Sequence, residues 1–295
     1  VEPHISEYRT ANHHPTDTAP VAARFDLRRV YTAIALAPLI YAVIRYLPPL
    51  AFIALVFVVG ATALYEFYRL FFQARTNSVL IGIGLLTLAN LLVSVYWRGA
   101  GMEMLFFGAA AALIIPLVSR ENLEHNLIDS AVTLFGVVYI GIALSYMILI
   151  RSLPHGESLA LFILLVTWAA DTGAYYVGKT FGRHPLAPAI SPKKTVEGLL
   201  GGLAFAILAV YLCRSWMPSY DLSLMSWLLL GSILTITGLI GDLAESALKR
   251  SACVKDSSGL LPGHGGMLDR IDSLLFTAPA FYYYVRYSGI PIYGS

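Results

Sequence analysis

Apolar runs of roughly twenty residues recur along this chain between short polar connections, at about 30–47, 50–68, 78–97, 102–118, 129–150, 158–178, 199–217, 224–248 and 273–288. At about 1.5 Å rise per residue, a helix of about twenty apolar residues crosses the ~30 Å hydrocarbon core of a bilayer. Lipid offers the backbone no hydrogen-bond partners, so segments of this kind have to satisfy their own N–H and C=O groups as helices. The composition agrees: 57% of residues are hydrophobic and 13% charged, where soluble domains hold roughly 45–50% and about 25%. The expected fold is all-α: a polytopic integral membrane protein of about nine transmembrane helices. A polar tail spans 1–29, N-terminal transmembrane helices 30–170, and C-terminal transmembrane helices with catalytic loops 171–295. The first apolar run begins near Val30, too late for a cleavable signal peptide. The tail's His4, His13 and His14 lack metal-ligand spacing and read as solvated.

Basic residues give an orientation, because cytoplasmic loops retain Lys and Arg. With the N-terminus in the cytoplasm, fifteen of the 20 basic residues fall inside and five (Arg45, Arg98, Arg151, Arg214, Arg286) outside. All the lysines lie in two inside loops, 179–198 and 249–270. Lysines serving orientation alone would also occupy the tail and the early loops, so this clustering points to an anionic ligand. Cys213 and Cys253, the only cysteines, supply neither a disulfide framework nor a zinc cluster. Both read as small apolar fillers.

Three polar constellations stand against the apolar background. The first runs from Asp171 to Gly198. Residues 173–180, GAYYVGKT, match G-x-x-x-x-G-K-[ST] formally. That phosphate loop works only between a strand and a helix N-terminus, and here it continues an apolar helical run, so nucleotide hydrolysis is rejected. Asp171, near a span end, is expected to be functional rather than a local cap, since intramembrane carboxylates are costly. Ser191-Pro192-Lys193-Lys194-Thr195, then Glu197, reads as a loop feeding a helix; its two ammonium groups suit phosphate binding and positive-inside anchoring alike.

The second constellation places Asp242, Glu245, Ser246 and Lys249 on one helix face by i, i+3 and i, i+4 spacing. Two carboxylates about 4 Å apart at an effective dielectric near 20 repel by roughly 4 kcal/mol unless a cation intervenes. A Glu245–Lys249 pair is the modest alternative, and it leaves Asp242 unexplained. The third is Pro262-Gly263-His264-Gly265-Gly266, leading to Asp269, Arg270 and Asp272. Asp269 and Asp272 stand in a first helical turn, where carboxylates are favoured, so capping accounts for one of them more readily than for both. With Asp242 they offer the all-oxygen donor set that Mg²⁺ takes in phosphoryl transfer. His264 reads as an acid/base, a phosphate donor or a turn residue. Composition and spacing therefore give a membrane enzyme with cytoplasmic carboxylates beside basic loops, acting on a phosphate-bearing substrate.

The stretch from Ser246 to Asp272 resembles the phosphatidate cytidylyltransferases, the CDP-diacylglycerol synthases. Ser246, Lys249, Arg250, Lys255, Asp256, Ser258, Leu261, Pro262, His264, Gly265, Gly266, Asp269, Arg270 and Asp272 fill the positions of their signature. Asp171–Tyr175 and Ser191–Thr195 are similar to that family too, so the resemblance covers about 171–272. It implies that CTP and phosphatidate from the bilayer give CDP-diacylglycerol and pyrophosphate with Mg²⁺, a second cation being compatible. It further implies metal binding by Asp242, Asp269 and Asp272. Catalytic roles would fall to these aspartates with Lys249, Arg250 and His264, and substrate binding to Asp171, Lys193, Lys194, Lys255, Arg270 and Ser246. Membrane lipids are the expected surroundings, with a bacterial inner membrane as the expected location and the site on its cytoplasmic side; a homodimer is compatible and no nucleic acid is expected. A CTP-dependent polyprenol or phytol kinase is the near alternative, transferring the γ-phosphoryl group. A transporter would need carboxylates in mid-span, and an inactive homologue would lack a signature residue.

Overall fold

The computed structural model describes residues 27–72, 77–97, 101–118, 123–214, 223–254 and 265–287. The tail expected over 1–29 falls almost wholly outside them, as do Lys255, Asp256 and His264. Among the described residues the chain forms α1 (Leu27–Tyr46), α2 (Pro49–Phe72), α3 (Ser78–Tyr96) and α4 (Gly101–Val118). A long rod follows, made of α5 (Leu123–Gly136), a π-helical turn (Val137–Ile142) and α6 (Ala143–Arg151). Then come α7 (Gly156–Phe181), strands β1 (Pro185–Ala187) and β2 (Ser191–Thr195), α8 (Val196–Cys213), α9 (Leu224–Ser251) and α10 (Leu268–Tyr287). Among the described residues, six helices are long and apolar enough to cross a membrane: Pro49–Phe72, Ser78–Tyr96, Leu127–Arg151, Gly156–Phe181, Val196–Cys213 and Leu224–Ser251. The protein is an all-α integral membrane protein.

Polar residues at the span ends start the helices. Asn77 accepts from the backbone N–H of Val79 and Leu80 at 3.0 and 3.2 Å, Thr195 from Gly198 at 3.1 Å, and Ser223 from Ser226 at 3.2 Å. Each satisfies donors that the first helical turn leaves free. The corner between α6 and α7 turns on His155, at φ 55. The formal phosphate-loop match, 173–180, lies wholly inside α7, as its apolar run implies.

Small residues let the C-terminal helices approach closely. A Cβ at Gly173 of α7 would come within 2.6 Å of the Gly201 carbonyl oxygen on α8. A Cβ at Gly241 of α9 would strike the carbonyl oxygen of Asp272 on α10. In lipid, such seams replace the hydrophobic drive that packs helices in water. The Gly241 seam also fixes Asp242, the next residue, beside Asp272.

Two expectations need correction. Ser191–Thr195 is a strand: it pairs antiparallel with β1, Pro185 opposite Thr195 and Ala187 opposite Ser191. Phe67 and Tyr68, near the end of α2, are buried, at 1% and 0% exposure. The Tyr68 hydroxyl donates to the Thr133 carbonyl at 2.8 Å, so that polar end is satisfied within the bundle rather than at a membrane surface. Cys213 is buried as expected, but Cys253 is exposed, in the left-handed turn (φ 57) that ends α9.

Candidate active site

The hairpin decides which lysine faces the helices. Side chains alternate along a strand, and β2 turns Lys193 outward and Lys194 inward. Lys194 forms an ion pair with Asp242 Oδ2. The hairpin's base is held by Glu197, which accepts from the backbone N–H of Arg183 and His184 at 3.0 and 3.2 Å. Arg250, near the end of α9, donates from Nε to the Ile190 carbonyl at the hairpin turn, 3.4 Å away. The lysine loop and the end of α9 thus belong to one assembly, although 60 residues separate Ile190 from Arg250.

Around Lys194, three helices each present a carboxylate: Asp171 from α7, Asp242 from α9 and Asp272 from α10. Asp171 and Asp272 both feel the charges of Asp242 and Lys194. The Ser273 hydroxyl lies 3.5 Å from Asp171 Oδ1, and the Ser273 backbone N–H donates to Asp272 Oδ1 at 2.7 Å. Asp171 is exposed and the Asp242 side chain is 36% exposed, while the Lys194 Nζ beneath them is buried, so the carboxylates form a cleft open on one side. A ligand can reach them.

A second cluster lies further along α9. Lys249 Nζ sits 2.6 Å from Glu245 Oε2 and 2.6 Å from Asp269 Oδ1. The other Asp269 oxygen accepts from the Gly266 backbone N–H at 2.9 Å. Glu245 is 1% exposed. Two carboxylates on one ammonium is the arrangement that lets buried charges persist. The Glu245–Lys249 alternative raised by the spacing is therefore present, with Asp269 added to it, while Asp242 turns instead to Lys194.

Sequence reasoning missed Glu66, in α2. Its two oxygens accept from the backbone N–H groups of Met267 and Leu268, both at 2.9 Å, and the residue is 2% exposed. A carboxylate from about 200 residues upstream thus caps the helix that carries Asp269 and Asp272. The signal was there: a glutamate within an apolar span is rare without a function or partner. Among the remaining expected residues, Lys193, Arg250 and Arg270 are exposed and Ser246 is half-buried. Lys255 and His264 lie outside the described residues.

The donor set of Asp171, Asp242 and Asp272 is all oxygen and suits a hard cation such as Mg²⁺. Among the described residues no three acidic, histidine or cysteine side chains converge tightly enough to hold an ion as they stand; the Lys194 ammonium offsets the carboxylate charge instead. Two apolar cavities lie elsewhere. One, about 250 Å³, is formed by α8 and α9 and has Arg214 as its one charged lining residue; the guanidinium is 4.1 Å from the Tyr211 ring centroid. The other, about 180 Å³, is beside Arg151, which pairs with Glu157 at 2.8 Å. Neither gathers the mixed charges of the cleft.

Membrane-spanning helices that converge carboxylates and an ammonium on an open cleft define a membrane-embedded enzyme for an anionic substrate. The model of the cytidylyltransferase family matches residues 27–288. The chain is 35% identical over 263 residues to a phosphatidate cytidylyltransferase of Bacillus subtilis, covering 87% of this chain and 96% of that protein. It is 38% identical over 203 residues to one of Staphylococcus aureus strain COL, covering 66% and 76%. With one of Staphylococcus haemolyticus it shares 42% over 171 residues, covering 57% and 65%. The chain belongs to the cytidylyltransferase family and is a nucleotidyltransferase.

Proposed function

We propose that this protein is a phosphatidate cytidylyltransferase: CTP and phosphatidate give CDP-diacylglycerol and pyrophosphate. The observation that carries this reading is the cleft where Lys194 meets Asp242 beside Asp171 and Asp272, within a chain that matches the B. subtilis phosphatidate cytidylyltransferase over nearly its whole length. One oxygen of the lipid phosphate attacks the α-phosphorus of CTP, the bond from that phosphorus to the bridging oxygen breaks, and pyrophosphate leaves with the electron pair. The nucleophile is already an anion, so little general-base help is required. Positioning and charge neutralisation supply most of the rate.

Lys194 and Arg250 are well placed for this on the hairpin side, where they border the cleft and its turn. Lys193 and Arg270, exposed beside it, extend the positive surface toward the triphosphate. Asp242 and Asp272 would hold Mg²⁺, with Asp171 next to them; when bound, the ion offsets charge on the phosphates. Both Asp269 oxygens are engaged, so Asp269 acts by holding Lys249 and the start of α10. The bacterial relatives, with the basic residues of the hairpin and of the α9 end, favour the inner membrane and a cytoplasmic cleft, where CTP is available.

Labelled CTP tests the reading on purified protein with phosphatidate in detergent micelles. Label from the α-position should enter the lipid, and a chelator should abolish the transfer. Label entering from the γ-position instead would mean a lipid kinase and would overturn the assignment.

A further inference from the structure

The π-helical turn carries a tyrosine whose hydroxyl is left unsatisfied within the bundle. Tyr139 OH is fully buried and has no hydrogen-bond partner among the described residues. A buried hydroxyl left unpaired is costly, and Tyr68, one helix away, shows how this fold satisfies one when the role is structural. Tyr139 also sits in a six-residue π segment, Val137–Ile142. Such turns are rare interruptions of α-helix, frequently found at functional sites because the extra residue re-aims side chains.

Its surroundings indicate what the hydroxyl meets. The charges of Glu245, Asp272 and Asp242, in that order, act on it, so it lies between the closed Glu245 cluster and the aspartates of the cleft. Its ring lies against Phe276 of α10, 6.4 Å between centroids, one helical turn after Asp272. On the other side it stacks on Phe135 at 5.8 Å and 8°, and Phe135 is 48% exposed on a bilayer-crossing helix. Phe67 closes the group at 6.4 Å. The aromatic path therefore runs from the apolar surface to the carboxylates, with one hydrogen-bond donor at its inner end. The hairpin lysines approach the same carboxylates from another element.

We propose that Tyr139 is a lipid-binding residue, its hydroxyl donating to a phosphate oxygen of phosphatidate entering the cleft from the bilayer. This rests on the reaction proposed above. A tyrosine suits the place: the ring tolerates apolar surroundings, and the neutral O–H adds no charge where anionic phosphate already faces three aspartates.

Tyr139→Phe removes the donor and keeps the ring stacks. With phosphatidate varied in mixed micelles at saturating CTP, kcat/KM for phosphatidate should fall about ten- to a hundred-fold, the range for losing a hydrogen bond to a charged acceptor. With CTP varied at saturating lipid, the KM for CTP should stay at its wild-type value. The thermal midpoint of the ligand-free protein should not fall, since the unpaired hydroxyl is gone, and added phosphatidate should raise it less than in wild type. Unchanged kinetics in both arms, or a loss confined to the CTP arm, overturns the proposal. Wild-type turnover with an unaffected variant defeats this inference alone; no phosphatidate turnover by the wild type defeats the parent reading and this one together.

Discussion

Lys194 and Lys249 are both largely buried and both hold carboxylates, but the carboxylates they hold differ in exposure. Lys194 reaches Asp242 from a strand, across a cleft in which Asp171 is exposed. Lys249 is clamped between Glu245, on its own helix, and Asp269, on the next, with 14% of its side chain exposed. The first arrangement gathers more negative charge than one ammonium offsets and leaves it open to a ligand. The second closes on itself around a buried glutamate. An incompletely neutralised open cluster is suited to binding a cation and phosphates; a closed cluster is suited to locking α9 to α10. On the proposed reading the chemistry depends on the first, and the second holds Asp242 and Asp272 in place.

Substitutions at the two clusters should separate these roles. Lys249→Met keeps the length of the side chain and strands Glu245 in the interior. Removing one member of a buried pair typically costs about 3–5 kcal/mol, so the thermal midpoint in detergent should drop sharply; an unchanged midpoint would break the contrast. Glu66→Gln tests the support beneath the closed cluster. An amide has one acceptor oxygen where the carboxylate has two, so one N–H of Met267 or Leu268 loses its partner, at about 1–3 kcal/mol. Its midpoint should fall by less than that of Lys249→Met, and activity should follow folding. Lys193→Ala should have the smallest effect on stability, within about 0.5 kcal/mol for an exposed side chain. Its kcat/KM for CTP should decline less than that of Lys194→Ala, because β2 aims only Lys194 at Asp242. Equal losses from the two would mean that the strand's alternation does not set the site.

The sequence disclosed the helices well, since about twenty apolar residues in lipid admit little other than a helix. The run expected at 78–97 is the helix Ser78–Tyr96, and that expected at 224–248 is Leu224–Ser251. The last apolar run, expected from 273, is the body of a helix that begins at Leu268, where Asp269 and Asp272 were expected in a first turn; its capping by Glu66 from α2 has no local signal. The hairpin was hidden for a related reason. Ser-Pro-Lys-Lys-Thr has no alternation of apolar and polar residues, and it becomes a strand by pairing with Pro185–Ala187. Within the site, i, i+3 spacing correctly grouped Asp242, Glu245 and Lys249 on neighbouring turns, but spacing cannot assign partners. It took the strand and α10 to send Asp242 to Lys194 and Lys249 to Asp269. Tyr139 was invisible, because nothing in an apolar run announces a π turn.

The central claim, that the open cleft performs cytidylyl transfer, is tested most directly at Asp242. Wild-type and Asp242→Asn protein would be given α-labelled CTP and phosphatidate, with thermal midpoints measured on the same preparations. Loss of a charge that helps stabilise a transition state costs about 10²–10³ in rate, whereas Asp171 and Asp272 remain to balance Lys194. The account predicts labelled lipid from the wild type, a hundred-fold or greater loss in the variant, and closely similar midpoints. Wild-type turnover by Asp242→Asn would contradict it.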